Sequence, residues 1–404
     1  MRISLTPDGR LLFLTRTLRL FAYGLLSVIL VLYLAERGIS KEKIGLLLSF
    51  TLLGDAVISL WITTQADRIG RKRMLIIGAG LIILGGTLFA LPVGFPLLLL
   101  GATIGVISPS GGEVGPFLSI EQASLSQTIT NEERTHIFAW YNLVGSAATA
   151  LGALIAGLFI QTLQNAHVAT LVSYQALTIG YAAIGIALAL LFTRLSPASE
   201  APRRDSSTLR SRFGLHKSKG VALKLSGFFA LDAFGGGFVL QTVVAYWFTV
   251  RFGVHPALLG GIFFWANLFA GFSGLLAARL ASRFGLLNTM VFTHLPSNAL
   301  LILVPLMPTL PLAIALLLLR FSISQMDVPT RQSYIMAVVA PDERSAAAGI
   351  AGVARTLGAS LSPLLVGPLL ANPALLSVPF FLAGGVKIVY DLLLYMSARH
   401  TRLE

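Results

Sequence analysis

The side chains most able to do chemistry in this chain are charges set inside otherwise apolar runs. Arg16 and Arg19 stand in the first of twelve such runs, Asp55 in the second, and Glu113 and Glu121 in the fourth. Asp232 stands in the seventh run, Arg320, Asp327 and Arg331 in the tenth, Arg355 in the eleventh, and Lys387 with Asp391 in the twelfth. A charge at the centre of a hydrocarbon layer costs about 2.5–3.5 kcal/mol on insertion scales, so each needs a partner, a ligand or a proton. Carboxylic acids kept from water can carry a proton near neutral pH. Glu113, Asp327 and Asp232 are the candidates, with Asp55 behind them. An acid beside an arginine stays ionised and leaves that group. Guanidinium matches carboxylate and phosphate in bidentate geometry, so Arg19, Arg320 and Arg331, with Gln325 close by in sequence, are candidates to bind an organic anion. The same acids could instead take a cationic ligand in exchange for protons.

What must position these residues is a set of membrane-spanning helices. Of 404 residues, 55% are hydrophobic and only 12% charged, whereas soluble domains carry about 25% charged residues. Spanning helices need roughly 20 mostly apolar residues. Such runs fall near 12–35, 44–64, 74–92, 96–123, 136–160 and 169–192, and again near 224–250, 258–279, 286–307, 310–337, 345–370 and 374–396. They do not alternate as barrel strands would. The first run carries Arg16 and Arg19 and is too long for a signal-peptide core. The chain has no cysteine, which excludes disulfide frameworks and thiolate metal sites.

The net charge of +13 is explained by topology better than by a nucleic-acid partner. With the N-terminus inside, inner segments hold most of the basic residues and the outer loops only Arg37, Lys41, Lys43 and Arg251. The positive-inside rule then puts both termini and the middle interval in the cytoplasm. Residues 195–222, rich in Ser, Pro and Arg, read as a flexible basic linker. It joins an N-terminal bundle (1–194) to a C-terminal bundle (223–404) and marks the inside; a lipid-surface or regulatory role for its basic residues is the lesser alternative, and membrane lipid is an expected partner of the protein.

The halves repeat. ADRIGRKRML at Ala66–Leu75 answers to ASRFGLLNTM at Ala281–Met290, and Glu132-Glu133-Arg134 to Asp342-Glu343-Arg344. A repeat of this length in a twelve-span chain is the pattern of a transporter built from two related bundles. The first segment resembles the signature of the major facilitator superfamily, G-x-L-A-D-R-x-G-R-K-x-x-L. It supplies Ala66, Asp67, Arg68, Gly70, Arg71, Lys72 and Leu75, and departs at Thr63 and Gln65. The resemblance implies an all-α integral membrane fold of two pseudo-symmetric six-helix bundles. It implies gating by Asp67, Arg68, Gly70, Arg71 and Lys72, for which Glu132, Glu133 and Arg134 are candidate charge partners. It also implies that spans one, four, seven and ten line a central cavity.

Three of those spans carry helix breakers beside their charges: Pro109, Gly111, Gly112, Gly115 and Pro116 around Glu113, Gly235-Gly236-Gly237 after Asp232, and Pro329 beside Asp327. Interrupted helices at matching places are the best sequence pointer to a midplane site. Glu121 and Arg331, each followed by glutamine, occupy equivalent positions. They are expected either to form a pair made in one state and broken in another, or to pair permanently. Lys387 and Asp391, four apart on one helix face, are expected to pair with each other, and His294 to serve helix packing. Tyr23, Phe238, Tyr246, Trp247 and Trp265 are packing residues or interface anchors before they are substrate platforms.

The expected activity is secondary active transport by alternating access, proton-coupled, of a small organic solute, by a monomer in the plasma (inner) membrane. A drug/proton antiporter exporting lipophilic cations is the alternative, although span five lacks the proline of that branch's signature. A receptor-like member that binds without moving its ligand would be expected to carry added soluble domains or long tails. The sequence has no G-x-x-x-x-G-K-S/T, H-E-x-x-H or G-x-S-x-G motif, so no cofactor, metal or enzymatic activity is expected.

Overall fold

The computed structural model describes residues 5–127, 131–200, 218–340 and 343–398, without the side chains of 131–136 and 345. Among the described residues the regular structure is helical. The first half comprises α1 (Pro7–Glu36), α2 (Lys41–Ile69), α3 (Arg71–Ala90), α4 (Phe95–Ile104), α5 (Phe117–Gln127), α6 (Asn131–Asn165) and α7 (Thr170–Phe192). The second comprises α8 (Lys219–Gly237), α9 (Gln241–Phe252), α10 (Pro256–Phe284), α11 (Leu286–Leu303), α12 (Leu310–Phe321), α13 (Asp327–Val338), α14 (Arg344–Ala371) and α15 (Val378–Ala398). Among the described residues ten segments are long and apolar enough to cross a membrane. The fourth and tenth expected spans are each divided instead, into α4 with α5 and α12 with α13, their first parts being short apolar helices. The seventh is nicked between α8 and α9.

The chain forms two compact units. One is Met1–Arg203 together with Gln241–Asn267, the other Arg204–Leu240 together with Leu268–Glu404. In the first, α1 is the hub and packs on α6, α7 and α9. Polar side chains hold α9 there: Thr242 Oγ1 accepts from the Val31 amide at 2.8 Å, and Gln241 Nε2 donates to Ser27 Oγ at 2.7 Å. In the second unit α8 packs chiefly on α14 and α15, around a core that includes Phe229, Met290, Tyr334 and Tyr390.

The break in span four leaves backbone groups without helical partners, and side chains satisfy them. Tyr181 Oη donates to Val106 O at 2.6 Å, Ser108 Oγ to Gly112 O at 2.7 Å, Thr149 Oγ1 to Gly111 O at 3.1 Å and Tyr23 Oη to Val114 O at 3.1 Å. The Gly115 amide donates to Asp55 Oδ1 at 2.5 Å. Irregular backbone at membrane depth is tolerated only where it is satisfied in this way. Gly115 has φ +80, and a Cβ there would stand 2.7 Å from Val106 Cγ1.

Gly115→Ala is therefore expected to destabilise by about 1–3 kcal/mol through left-handed backbone strain and the clash. Gly80→Ala, inside α3 with open space around its Cβ, should be neutral or stabilising. Apparent melting temperatures in detergent check the pair, and equal behaviour would contradict the assigned strain.

Candidate functional site

The buried charges gather into one cluster in each unit. In the first, α1 brings Arg16 and Arg19 against the broken fourth span. Arg19 Nη1 and Nη2 grip Glu121 Oε1 and Oε2 at 2.7 and 2.8 Å, a two-point pair with both side chains fully buried. Arg19 Nη2 also reaches Glu113 Oε1 at 2.8 Å, and Arg16 Nη1 takes Glu113 Oε2 at 2.8 Å. Tyr141 Oη donates to Glu121 Oε2 at 2.6 Å. The Arg19 guanidinium lies over the Phe117 ring and that of Arg16 over Tyr141, at 4.5 and 4.4 Å from the ring centroids. Two cations meet two carboxylates, and the cluster is balanced.

In the second unit Asp232 is the centre. Lys387 Nζ lies 2.6 Å from its Oδ1 and Arg331 Nη1 2.8 Å from its Oδ2. The same Nη1 reaches Asp327 Oδ2 at 3.0 Å. His294 stands between two acids, with Nδ1 at 2.9 Å from Asp391 Oδ1 and Nε2 at 3.7 Å from Asp232 Oδ1. Asn298 Nδ2 donates to Asp391 Oδ2 at 3.0 Å. Arg320 and Arg355 interact electrostatically with Asp232 and Asp327, yet neither is ion-paired among the described residues, and the Nε of each is buried without a hydrogen-bond partner.

A family model for the Major Facilitator Superfamily matches residues 12–363. The chain belongs to this superfamily. It is similar to the uncharacterized membrane protein YJR124C of Saccharomyces cerevisiae, with 31% identity over 417 residues that cover 96% of this chain and 93% of the relative. Quinolone resistance protein NorA of Staphylococcus aureus matches over 134 residues at 28% identity, a third of each chain. Among solved structures, the nucleoside transporter NupG has a TM-score of 0.74 at 16% identity, covering 96% of this chain and 98% of its own. A D-xylose–proton symporter has a TM-score of 0.72 at 15% identity, with coverage of 96% and 97%. A bacterial homologue of the human lysosomal transporter Spinster has a TM-score of 0.68 at 17%, with 96% and 94%. The protein has the fold of a major facilitator transporter, and its family makes it a membrane transporter and not an enzyme.

Several sequence expectations for this transporter need correcting. A permanent Glu121–Arg331 pair is not what the structure holds: each takes partners within its own unit, Arg19 for the first and Asp232 and Asp327 for the second. The repeat thus relates two ion pairs of inverted sign: arginine on span one with glutamate on span four, aspartate on span seven with arginine on span ten. Lys387 and Asp391 do not pair with each other, because Asp232 draws the ammonium while Asp391 is held by His294 and Asn298. His294 is therefore part of a buried polar network and not a packing residue alone. The three first-choice proton acceptors, Glu113, Asp232 and Asp327, all stand beside arginine. Asp55 has no ion pair among the described residues and accepts from Ser59 Oγ and the Gly115 amide. Gln325 is exposed, and its amide N–H donates to Ser273 Oγ at 3.3 Å.

The family signature is likewise anchored by a residue the sequence did not single out. α2 ends and α3 begins across Gly70, whose φ of +116 makes the turn. Arg71 Nε pairs with Asp67 at 2.9 Å. Glu200 accepts from the Arg71 amide at 2.6 Å and the Lys72 amide at 3.1 Å, a carboxylate on a helix N-terminus. Lys72 Nζ donates to Leu195 O, and Ser196 bonds to Asp8 through both its amide and its hydroxyl. The start of the expected flexible linker is thus tied to α1 and α3. Arg68 is exposed, and the side chains of Glu132, Glu133 and Arg134 lie outside the described residues. Thr63, where the signature has glycine, meets Ser119 of α5 hydroxyl to hydroxyl at 3.1 Å.

Removing one member of a buried pair typically costs about 3–5 kcal/mol because the other is left uncompensated. Glu121→Leu should show a loss of that size in detergent stability, and adding Arg19→Leu should recover part of it. A double variant no better than the single would contradict the pairing. Glu200→Gln should lower hydrogen-exchange protection at the Arg71 and Lys72 amides and leave α7 unchanged, and unaltered protection there would count against the cap.

Proposed function

We propose that this protein is a secondary active transporter that works by alternating access, couples to protons and moves a small organic anion. The observation that carries the anion reading is the charge imbalance of the second cluster. Arg320, Arg331, Arg355 and Lys387 surround Asp232, Asp327 and Asp391, four basic side chains against three acids. A buried surplus cation needs a counter-ion, and the unpaired guanidiniums of Arg320 and Arg355 are where an anion has donors waiting. Arg19 is committed to Glu113 and Glu121, so its role is to position the broken fourth span.

The same arrangement supplies a coupling route. An anion that takes the Arg331 guanidinium frees Asp327, while Asp232 keeps Lys387, and a carboxylate released from its cation in a water-poor site gains affinity for a proton. Substrate and proton then enter together. On this reading residues 1–194 and 223–404 form the two six-helix bundles, 195–222 joins them, and both termini face the cytoplasm of a plasma (inner) membrane, as the basic inner loops require. A drug/proton antiporter is the second reading. It is favoured by the similarity to NorA over a third of the chain and by Glu113, whose side chain keeps 18% exposure.

Thermal-shift measurements on the purified protein separate the two. A panel of carboxylates and phosphate esters is set against lipophilic cations. A ligand specific for the folded state stabilises by about 2.7 kcal/mol at a hundredfold excess over its dissociation constant. Anion stabilisation that is lost in Arg355→Ala is the expected result. Stabilisation by cations alone, lost in Glu113→Gln, would replace the anion reading with drug antiport.

A further inference from the structure

The second unit carries a concavity lined by none of the clustered charges. A cavity of about 450 Å³ lies between the end of α10, the start of α11 and α15, lined by Leu280, Phe284, Thr289, Phe292, Thr293 and Tyr395, with Asn288 at its edge. Two of its aromatic walls, Phe292 and Tyr395, meet edge to face at 5.4 Å between centroids, and Phe284 and Phe292 are more than half exposed. Thr289, one of its lining residues, is 3% exposed, and among the described residues its Oγ1 has no hydrogen-bond partner.

The end of the groove is basic. The Arg283 guanidinium lies 5.4 Å from the centroid of the Phe284 ring that lines it. Arg279 is one turn earlier on α10. Both arginines are exposed, and neither has an ion pair among the described residues. An aromatic and aliphatic trough with two exposed guanidiniums at one end is complementary to an amphiphile with an anionic head. Exposed arginines at the end of a spanning helix stand where lipid headgroups lie.

We propose that this groove is a binding site for an anionic phospholipid, its phosphate held by Arg283 and Arg279 and part of one acyl chain lying between Phe284, Phe292 and Tyr395. The occupant follows from charge complementarity. A zwitterionic lipid offers the same chains but cancels the headgroup charge that the two arginines select. The site is independent of the substrate and of the coupling proton, so it stands or falls apart from the transport reading.

Native mass spectrometry of the full chain, released from micelles containing equal amounts of phosphatidylglycerol and phosphatidylcholine, tests it. Phosphatidylglycerol adducts are expected to dominate by about tenfold or more, as two basic residues beside an anionic headgroup imply. Arg279→Ala with Arg283→Ala should bring the two lipids to near parity. These side chains are exposed and unpaired, so the variant should keep the wild-type elution volume and melting temperature. Thr293→Trp, which fills the groove, should remove the retained lipid of both kinds. Equal retention of the two lipids by the wild type, or an undiminished preference in the double arginine variant, would overturn the proposal.

Discussion

Water is nearly absent from the interior of a spanning bundle, so a charge placed there is stable only against another charge held at hydrogen-bonding distance. The Arg19–Glu121 pair meets that condition with two parallel bonds and no exposed atom, and much of the first unit is arranged around it. Tyr141 on α6 completes the carboxylate, Phe117 covers the guanidinium, and Glu113 extends the contact into the break of span four. Helix α1 is thereby fixed to α5 and α6 by a bond that lipid-like packing alone would not supply. In the second unit one arginine serves two acids, and Asp232 draws a second cation from α15. That difference turns a closed pair into an adaptable network.

The breaks in spans four, seven and ten belong to the same logic. A broken helix exposes amides and carbonyls that hydrocarbon cannot satisfy, and the hydroxyls of Tyr23, Ser108, Thr149 and Tyr181 bind those of span four. Asp55 is bound up with the break itself, because its carboxylate takes the Gly115 amide. The charged cluster and the irregular backbone therefore stabilise each other. Glu113 sits where it does because the chain around it is not a helix, and the chain can remain non-helical because polar side chains of α1, α2, α6 and α7 converge on it.

Much of this was legible in the sequence. The apolar runs, the breakers in spans four, seven and ten, and the signature around Gly70 follow from local chemistry, and local chemistry is what periodicity and composition report. The partners were not legible, because pairing depends on rotation of one helix against another. Lys387 and Asp391 share a face, which suggests a bond between them, yet α8 and α11 offer each a nearer partner. His294 and Asn298, four apart in an apolar run, were a readable sign of a polar contact with a third helix. Glu200 was hidden by its surroundings, since an acid in a Ser- and Pro-rich interval looks solvated until the tertiary fold sets it on the α3 N-terminus.

The inverted ion pairs bear on how such a protein diverges. If the two bundles descend from one ancestral copy, the sign at both members of the pair has been exchanged in one of them. No single substitution accomplishes that, because the first step sets two like charges together in a buried site. The extra charges around each pair, Glu113 and Arg16 in one bundle, Lys387 and Asp327 in the other, are groups able to neutralise such an intermediate. Redundancy in the buried charges would then be what lets a duplicated bundle reverse its polarity while every form along the way still folds.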